Sequence, residues 1–162
     1  MGSWQPAYIG VGSNLADPRA QVLRALQRLR SLPQSHVGLT SPLYRSTPLG
    51  PIDQPDFVNA VAGVLTRLPA QELLRQLQRI EVEFGRPARH EHWGPRILDL
   101  DLLLFGRERH SSAELTLPHP GVVQRNFVLY PLADIAPDLE VPGLGRVAEL
   151  RGRLAATGLR AL

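Results

Sequence analysis

Apolar positions recur along this chain with two periods, and the changes between them predict its elements. Ala7–Val11 reads as a first strand that ends at Gly12-Ser13-Asn14. Asp17 followed by Pro18 supplies an N-cap residue and a proline at the first helical position. Val22, Leu23, Leu26 and Leu29 give the helix that follows an apolar stripe, and Pro33 lies beyond its end. His36–Ser46 reads as a second strand. Thr47–Pro55, with Pro48, Gly50, Pro51 and Pro55, is too proline-rich for regular structure. Phe57–Leu65 alternates as a third strand. Leu73, Leu74, Leu77, Ile80 and Phe84 place a second helix over Gln71–Phe84. The polar stretch Gly85–Pro95 then leads into a leucine-rich strand. Leu115–Leu117 forms a short further strand, and Phe127–Ile135 and Arg146–Ala155 form short helices on either side of Pro137–Gly145. The order β-α-β-β-α-β followed by helices predicts an α+β, ferredoxin-like sandwich with additional C-terminal helices. Without repeat, linker or low-complexity tract, residues 1–162 are expected to form a single domain.

The leucine-rich strand changes this from a fold reading to a chemical one. From Ile97 to Phe105 only Asp99 and Asp101 are polar. Strand alternation puts Leu98, Leu100, Leu102 and Leu104 on one face and Ile97, Asp99, Asp101 and Leu103 on the other. Two like charges on an otherwise apolar strand are costly unless compensated, most simply by a divalent cation. Oxygen-only ligands favour Mg²⁺ or Mn²⁺ over zinc. The bland alternative is an edge strand with one solvated face, against which leucines continue on both sides of the pair.

Arg86, Arg89 and Arg96 flank the aspartates, and guanidinium forks match phosphate oxygens bidentately. A loop of this kind between well-formed elements is often a lid, or simply a solvated basic loop. His119 lies between Pro118 and Pro120, with Arg125 beyond it; a histidine so held suits a phosphate contact or a structural role. Trp93, Phe57 and Phe127 offer flat walls for a ring system or ordinary core packing. Gly12-Ser13-Asn14-Leu15 matches no phosphate-loop pattern and reads as a tight turn near the site.

Composition removes several alternatives. All 18 basic residues are arginine, which excludes a Walker-type lysine and a Schiff base. No cysteine is present, so disulfides, thiolate zinc sites and thiol nucleophiles are excluded. A net charge of +3 does not indicate nucleic-acid binding. No apolar run approaches the roughly 20 residues that span a bilayer, and the N-terminal residues lack a signal-peptide pattern. A cytoplasmic protein is the expectation.

Several segments, in order, resemble the 6-hydroxymethyl-7,8-dihydropterin pyrophosphokinases of folate biosynthesis. They are Tyr8–Leu15, Tyr44–Pro51, Asp53–Ala60, Gly94-Pro95-Arg96-x-x-Asp99-x-Asp101, Pro118-His119 and Arg125-x-Phe127-x-x-x-Pro131-Leu132. The resemblance implies Mg²⁺-dependent transfer of the pyrophosphoryl unit of ATP to the pterin hydroxymethyl group, with release of AMP. It assigns catalysis to Arg86, Arg96, Asp99 and Asp101, with two Mg²⁺ ions on the aspartates. It assigns the pterin to Ser46, Thr47, Leu49, Phe57, Asn59, Trp93 and Phe127. It assigns ATP to Gln78, Glu81, Arg86, Trp93, Arg96, Leu102 (through its backbone), Thr116, His119 and Arg125. The implied partners are ATP and the pterin, with no nucleic acid and no membrane, for a monomer. Ala88, His92, Glu114 and Phe57 depart from residues common in the better-known sequences, which bears on nucleotide affinity rather than reaction class. An enzyme of the same metal-dependent class with another acceptor would keep the acids and arginines but need no amide between aromatic walls. A ferredoxin-like nucleic-acid-binding module would carry a basic face and no paired acids on a central strand.

Overall fold

The structure, a computed structural model, describes residues 2–85 and 95–162. Its main sheet is built around β1 (Gln5–Ser13), which pairs with β4 (Phe57–Thr66) on one side and β5 (Asp99–Phe105) on the other. The far edge of β4 carries β2 (Ser35–Thr40) and β3 (Tyr44–Ser46), and β10 (Leu159–Ala161) adds beyond β3. Every pairing in this sheet is antiparallel. Two hairpins, β6 (His110–Ser111) with β7 (Thr116–Leu117) and β8 (Glu140–Val141) with β9 (Gly145–Arg146), stand apart from it.

The expected single strand His36–Ser46 is two strands. Between them the Ser41 N–H donates to the Val61 carbonyl at 2.9 Å, and Ser41 Oγ accepts from the Val61 N–H at 2.9 Å. The hydroxyl thus takes the place of a ladder carbonyl, and Pro42, next in line, has no N–H to offer.

Helices α1 (Pro18–Leu29) and α2 (Ala70–Glu83) pack on one face of the sheet. Asp17, at φ 62°, accepts from the Ala20 N–H at 3.4 Å and starts α1 with Pro18 in its first turn. Val22, Ala25, Leu26 and Leu29 form its buried stripe, whereas Leu23, expected in that stripe, is 49% exposed. Leu73, Leu77 and Ile80 of α2 join them over Ile9, Val11, Leu98, Leu100 and Leu102. Each such large side chain withdrawn from water contributes about 1.5–3 kcal/mol.

The opposite face carries α3 (Asn126–Ile135) and α4 (Val147–Gly152), the latter shorter than the expected Arg146–Ala155. Val128, Leu129 and Leu132 of α3 meet Val61, Leu103 and Leu104. Leu104 therefore lies with this second core and not on the face of Leu98 and Leu100. The cause is a β-bulge: Tyr8 pairs with Leu104 and Ile9 with Leu102, so Leu103 is an additional residue and the alternation slips. Beyond the bulge the alternation of Asp99 and Asp101 holds, and both side chains are partly exposed.

Candidate active site

On the α3 side of the sheet, the rows beyond Val61 and Leu103 turn polar. Asn59 of β4 pairs with Gly12 of β1, and Gly12 pairs with Asp99 of β5. The next row runs Val61, Gly10, Asp101. Residues directly opposite across strands share a face, so an amide and a carboxylate look out from one row, about 10 Å apart at two strand spacings. Glycine keeps the middle of that row open. A Cβ at position 12 would stand 3.1 Å from Asn59 Oδ1 and 4.0 Å from the Phe57 ring.

The amide end is assembled from buried polar groups. Asn59 and Ser46 are both buried, and Asn59 Nδ2 donates to Ser46 Oγ at 2.6 Å. Phe57, half-buried at the start of β4, pairs with Ser46. Thr47 and Leu49 are exposed on the loop that follows. Across from this loop stands Phe127, in the first turn of α3, with the Arg125 guanidinium 6.0 Å from its ring. A cavity of about 310 Å³ opens between residues 46–49 and 124–127, with residues 157 and 158 on its rim.

The carboxylate end is more open. Asp99 and Asp101 side chains retain 31% and 40% exposure. Arg96 Nε lies 3.8 Å from Asp99 Oδ1, and His119 Nε2 lies 3.9 Å from Asp101 Oδ1. The His119 backbone N–H donates to the Leu103 carbonyl at 2.9 Å, which ties its loop to β5. The Gly121 N–H donates to His119 Nδ1 at 3.0 Å, so that nitrogen is the acceptor and the neutral ring carries its proton on Nε2, toward Asp101. Burial lowers the imidazole pKa, and Arg125 adds to the effect against the opposing pull of Asp101 and Asp99. Hard carboxylate oxygens with solvent access suit a divalent cation. Among the described residues no group of three or more His, Cys, Asp or Glu side chains is placed to hold a metal ion.

Glu81, expected near ATP, has a further place in the architecture. It is buried on α2, and its Oε2 accepts from the Leu100 N–H at 2.8 Å, between the two aspartates. It therefore supplies an acceptor to β5, which is an edge strand of the sheet with its acids partly exposed and not the central strand expected for the pair. Gln78 is exposed one turn earlier, Leu102 is buried in the core, and Thr116 is exposed on β7. Arg86, Arg89 and Trp93, together with Ala88 and His92, lie outside the described residues.

Gly12-Ser13-Asn14-Leu15, expected as a tight turn near the site, does more than turn the chain. In the structure Asn14 joins the two ends of the site. Its N–H donates to the Arg96 carbonyl at 3.0 Å, and its Oδ1 accepts from the Arg96 N–H at 2.8 Å. Its Nδ2 donates to Gln54 Oε1 at 2.8 Å and to the Pro55 carbonyl at 2.9 Å. One buried amide thus fixes the approach to β5 and the approach to β4. The signal available in the sequence was a lone amide directly after a buried strand, which has both donors and an acceptor to place.

The sequence profile of 7,8-dihydro-6-hydroxymethylpterin-pyrophosphokinase (HPPK) matches residues 8–137. The 2-amino-4-hydroxy-6-hydroxymethyldihydropteridine pyrophosphokinase of Pseudomonas aeruginosa is 48% identical over 158 residues, covering 98% of this chain and 97% of that one. The enzyme of the same name from Haemophilus influenzae is 49% identical, with 89% of each chain covered. Among solved structures, a Plasmodium falciparum HPPK-DHPS variant with pterin and p-hydroxybenzoate superposes on 98% of this chain with a TM-score of 0.72. At 13% identity that likeness speaks to the fold alone, and this chain spans 47% of the Plasmodium chain. The matched residues run from Tyr8 in β1, through both ends of the polar row, to Pro137 just beyond α3, and the chain belongs to the HPPK family.

Proposed function

We propose that this protein transfers the β,γ-pyrophosphoryl unit of ATP to the hydroxymethyl group of 6-hydroxymethyl-7,8-dihydropterin. The hydroxymethyl oxygen forms a bond to the β-phosphorus, the bond from that phosphorus to the α,β-bridging oxygen breaks, AMP leaves, and the hydroxyl proton passes to solvent. The observation that carries this reading is the row Asn59–Gly12–Asp99. It places a neutral hydrogen-bonding end and an anionic end on one face, with an unobstructed glycine between them.

The Asn59 amide and the backbone of Ser46–Leu49 would read the polar edge of the flat pterin, with Phe57 and Phe127 against its faces. Arg96 would bind phosphate oxygens, and His119 would present its Nε2–H to them. Asp99 and Asp101 would hold Mg²⁺, which neutralises triphosphate charge and polarises its oxygens when bound. Positioning and electrostatics would carry the rate, since phosphoryl transfer asks little covalent chemistry of a protein. The antiparallel order β3-β4-β1-β5, with β2 and β3 taken as one interrupted strand, supports the ferredoxin-like assignment.

Incubation with ATP, Mg²⁺ and 6-hydroxymethyl-7,8-dihydropterin tests the reading. AMP and pterin diphosphate should accumulate in equal amounts, only when the pterin is present, and should fall to background under chelation and return when Mg²⁺ is restored. ADP as the nucleotide product, or AMP formed without the pterin, would overturn it.

A further inference from the structure

The chain beyond residue 137, outside the span shared with the family profile, is not peripheral to the acceptor pocket. Strand β10 lies against β3, with Leu159 opposite Ser46 and Ala161 opposite Tyr44. Immediately before it, the Gly158 carbonyl accepts from the Thr47 N–H at 3.0 Å and from Thr47 Oγ1 at 3.3 Å. At the preceding residues 155 and 157 the same segment is held from the opposite wall. Asn126, the first residue of α3 and the neighbour of Phe127, donates from Nδ2 to the carbonyls of Ala155 and Thr157, at 3.0 and 2.9 Å.

The loop Ser46–Leu49 and the aromatic residue Phe127 are far apart in the sequence, and residues 155–158 bridge them through backbone carbonyls. Those carbonyls fix the two walls of one cavity relative to each other. The conformation demands glycine at 158. Its φ is +71°, and a Cβ there would stand 2.8 Å from Thr47 Oγ1 and 3.1 Å from Thr47 Cβ. A side chain would strain the backbone and push the loop away from Phe127.

We propose that Asn126 and Gly158 are positioning residues that set the width of the acceptor pocket, by clamping the Ser46–Leu49 loop and Phe127 to the C-terminal segment. The proposal rests on the pterin reading of that pocket. Both residues border the cavity, and the bonds they make run to the carbonyls of Ala155 and Thr157 and to Thr47. They act by holding two surfaces at the spacing a planar ring requires, which lowers the ordering cost of binding.

The test is steady-state kinetics of the full-length Asn126→Ala and Gly158→Val proteins, alongside the thermal midpoint of each. In both, the KM for 6-hydroxymethyl-7,8-dihydropterin should rise about tenfold, while kcat and the KM for ATP stay within about twofold of wild type. A merely structural role would move the thermal midpoint without that split. An unchanged pterin KM in Asn126→Ala, or pterin and ATP constants rising together, would overturn the proposal, and Asn126→Ala decides the matter if Gly158→Val does not fold. Wild-type protein that makes no pterin-dependent AMP would instead overturn the functional reading beneath it.

Discussion

The two ends of the polar row are built on opposite principles. At the acceptor end the recognising groups are buried and already bonded to one another: Asn59 and Ser46 are 5% and 3% exposed, and Asn14 behind them is 2% exposed. At the donor end Asp99 and Asp101 keep 31% and 40% of their side-chain surface, and Arg96 and His119 stand off at 3.8 and 3.9 Å. On the proposed reaction, the difference follows from what each end would bind. A neutral planar ring gains most from donors, acceptors and walls already in place, because little reorganisation is then needed. A metal–polyphosphate complex brings its own charge, and sealing two carboxylates beneath it beforehand would incur desolvation and mutual repulsion. The protein therefore builds one half completely and leaves the other accessible.

This contrast is most sharply tested by removing single groups from each side. Arg96→Ala should slow the single-turnover rate about a hundredfold while the pterin affinity of the ternary complex stays near wild type; equal losses in both would erase the distinction. Asn14→Ala belongs to both halves. It strips the partners from the Arg96 N–H and from the acceptors at Gln54 and Pro55, and should cost about 2–3 kcal/mol in urea unfolding. A loss confined to pterin binding, with stability unchanged, would mean that Asn14 does not couple the halves.

Tyr44→Phe should have the smallest effect. The Tyr44 hydroxyl on β3 donates to Asp134 on α3, and burial and this bond raise its pKa to about 12 from 10.0. The folded state thus favours the protonated phenol. Its contribution is full below pH 10 and is lost as pH climbs from 10 to about 12. The variant should lose about 1 kcal/mol near neutrality and show a shallower alkaline decline. Denaturant midpoints measured from pH 8 to 12 would show both, and an unaltered alkaline slope would refute the assignment.

The sequence disclosed those parts of the fold that depend on period and local punctuation. Asp17–Pro18, the stripe of Val22, Leu26 and Leu29 (though not Leu23), the stripe of Leu73, Leu77 and Ile80 and the alternation of the acid pair on β5 all lie where patterning places them. What it concealed depends on partners far along the chain. The break at Ser41–Pro42 comes from a hydroxyl bonded to Val61. The position of Leu104 comes from a bulge set against Tyr8 and Ile9. Strand β10 is three residues that show no period and gain their form from β3. In the site, Asp99 and Asp101 were legible because charge is conspicuous on an apolar strand. Asn14 was not, since a buried amide is told from a turn residue only by the groups it meets. Gly12 likewise acquires meaning only once Asn59 and Asp99 lie on either side of it.

The most direct measurement is made on Asp99→Asn, which keeps the shape of the side chain and removes its charge. Product formation and pterin affinity are read on the same protein with Mg²⁺ and ATP present. Turnover should fall by about a thousandfold, while the pterin dissociation constant remains within about threefold of wild type, because the acceptor end is assembled without that carboxylate. Near-normal turnover, or pterin binding lost in step with turnover, would contradict a site whose acceptor end is assembled without the carboxylates of the other end.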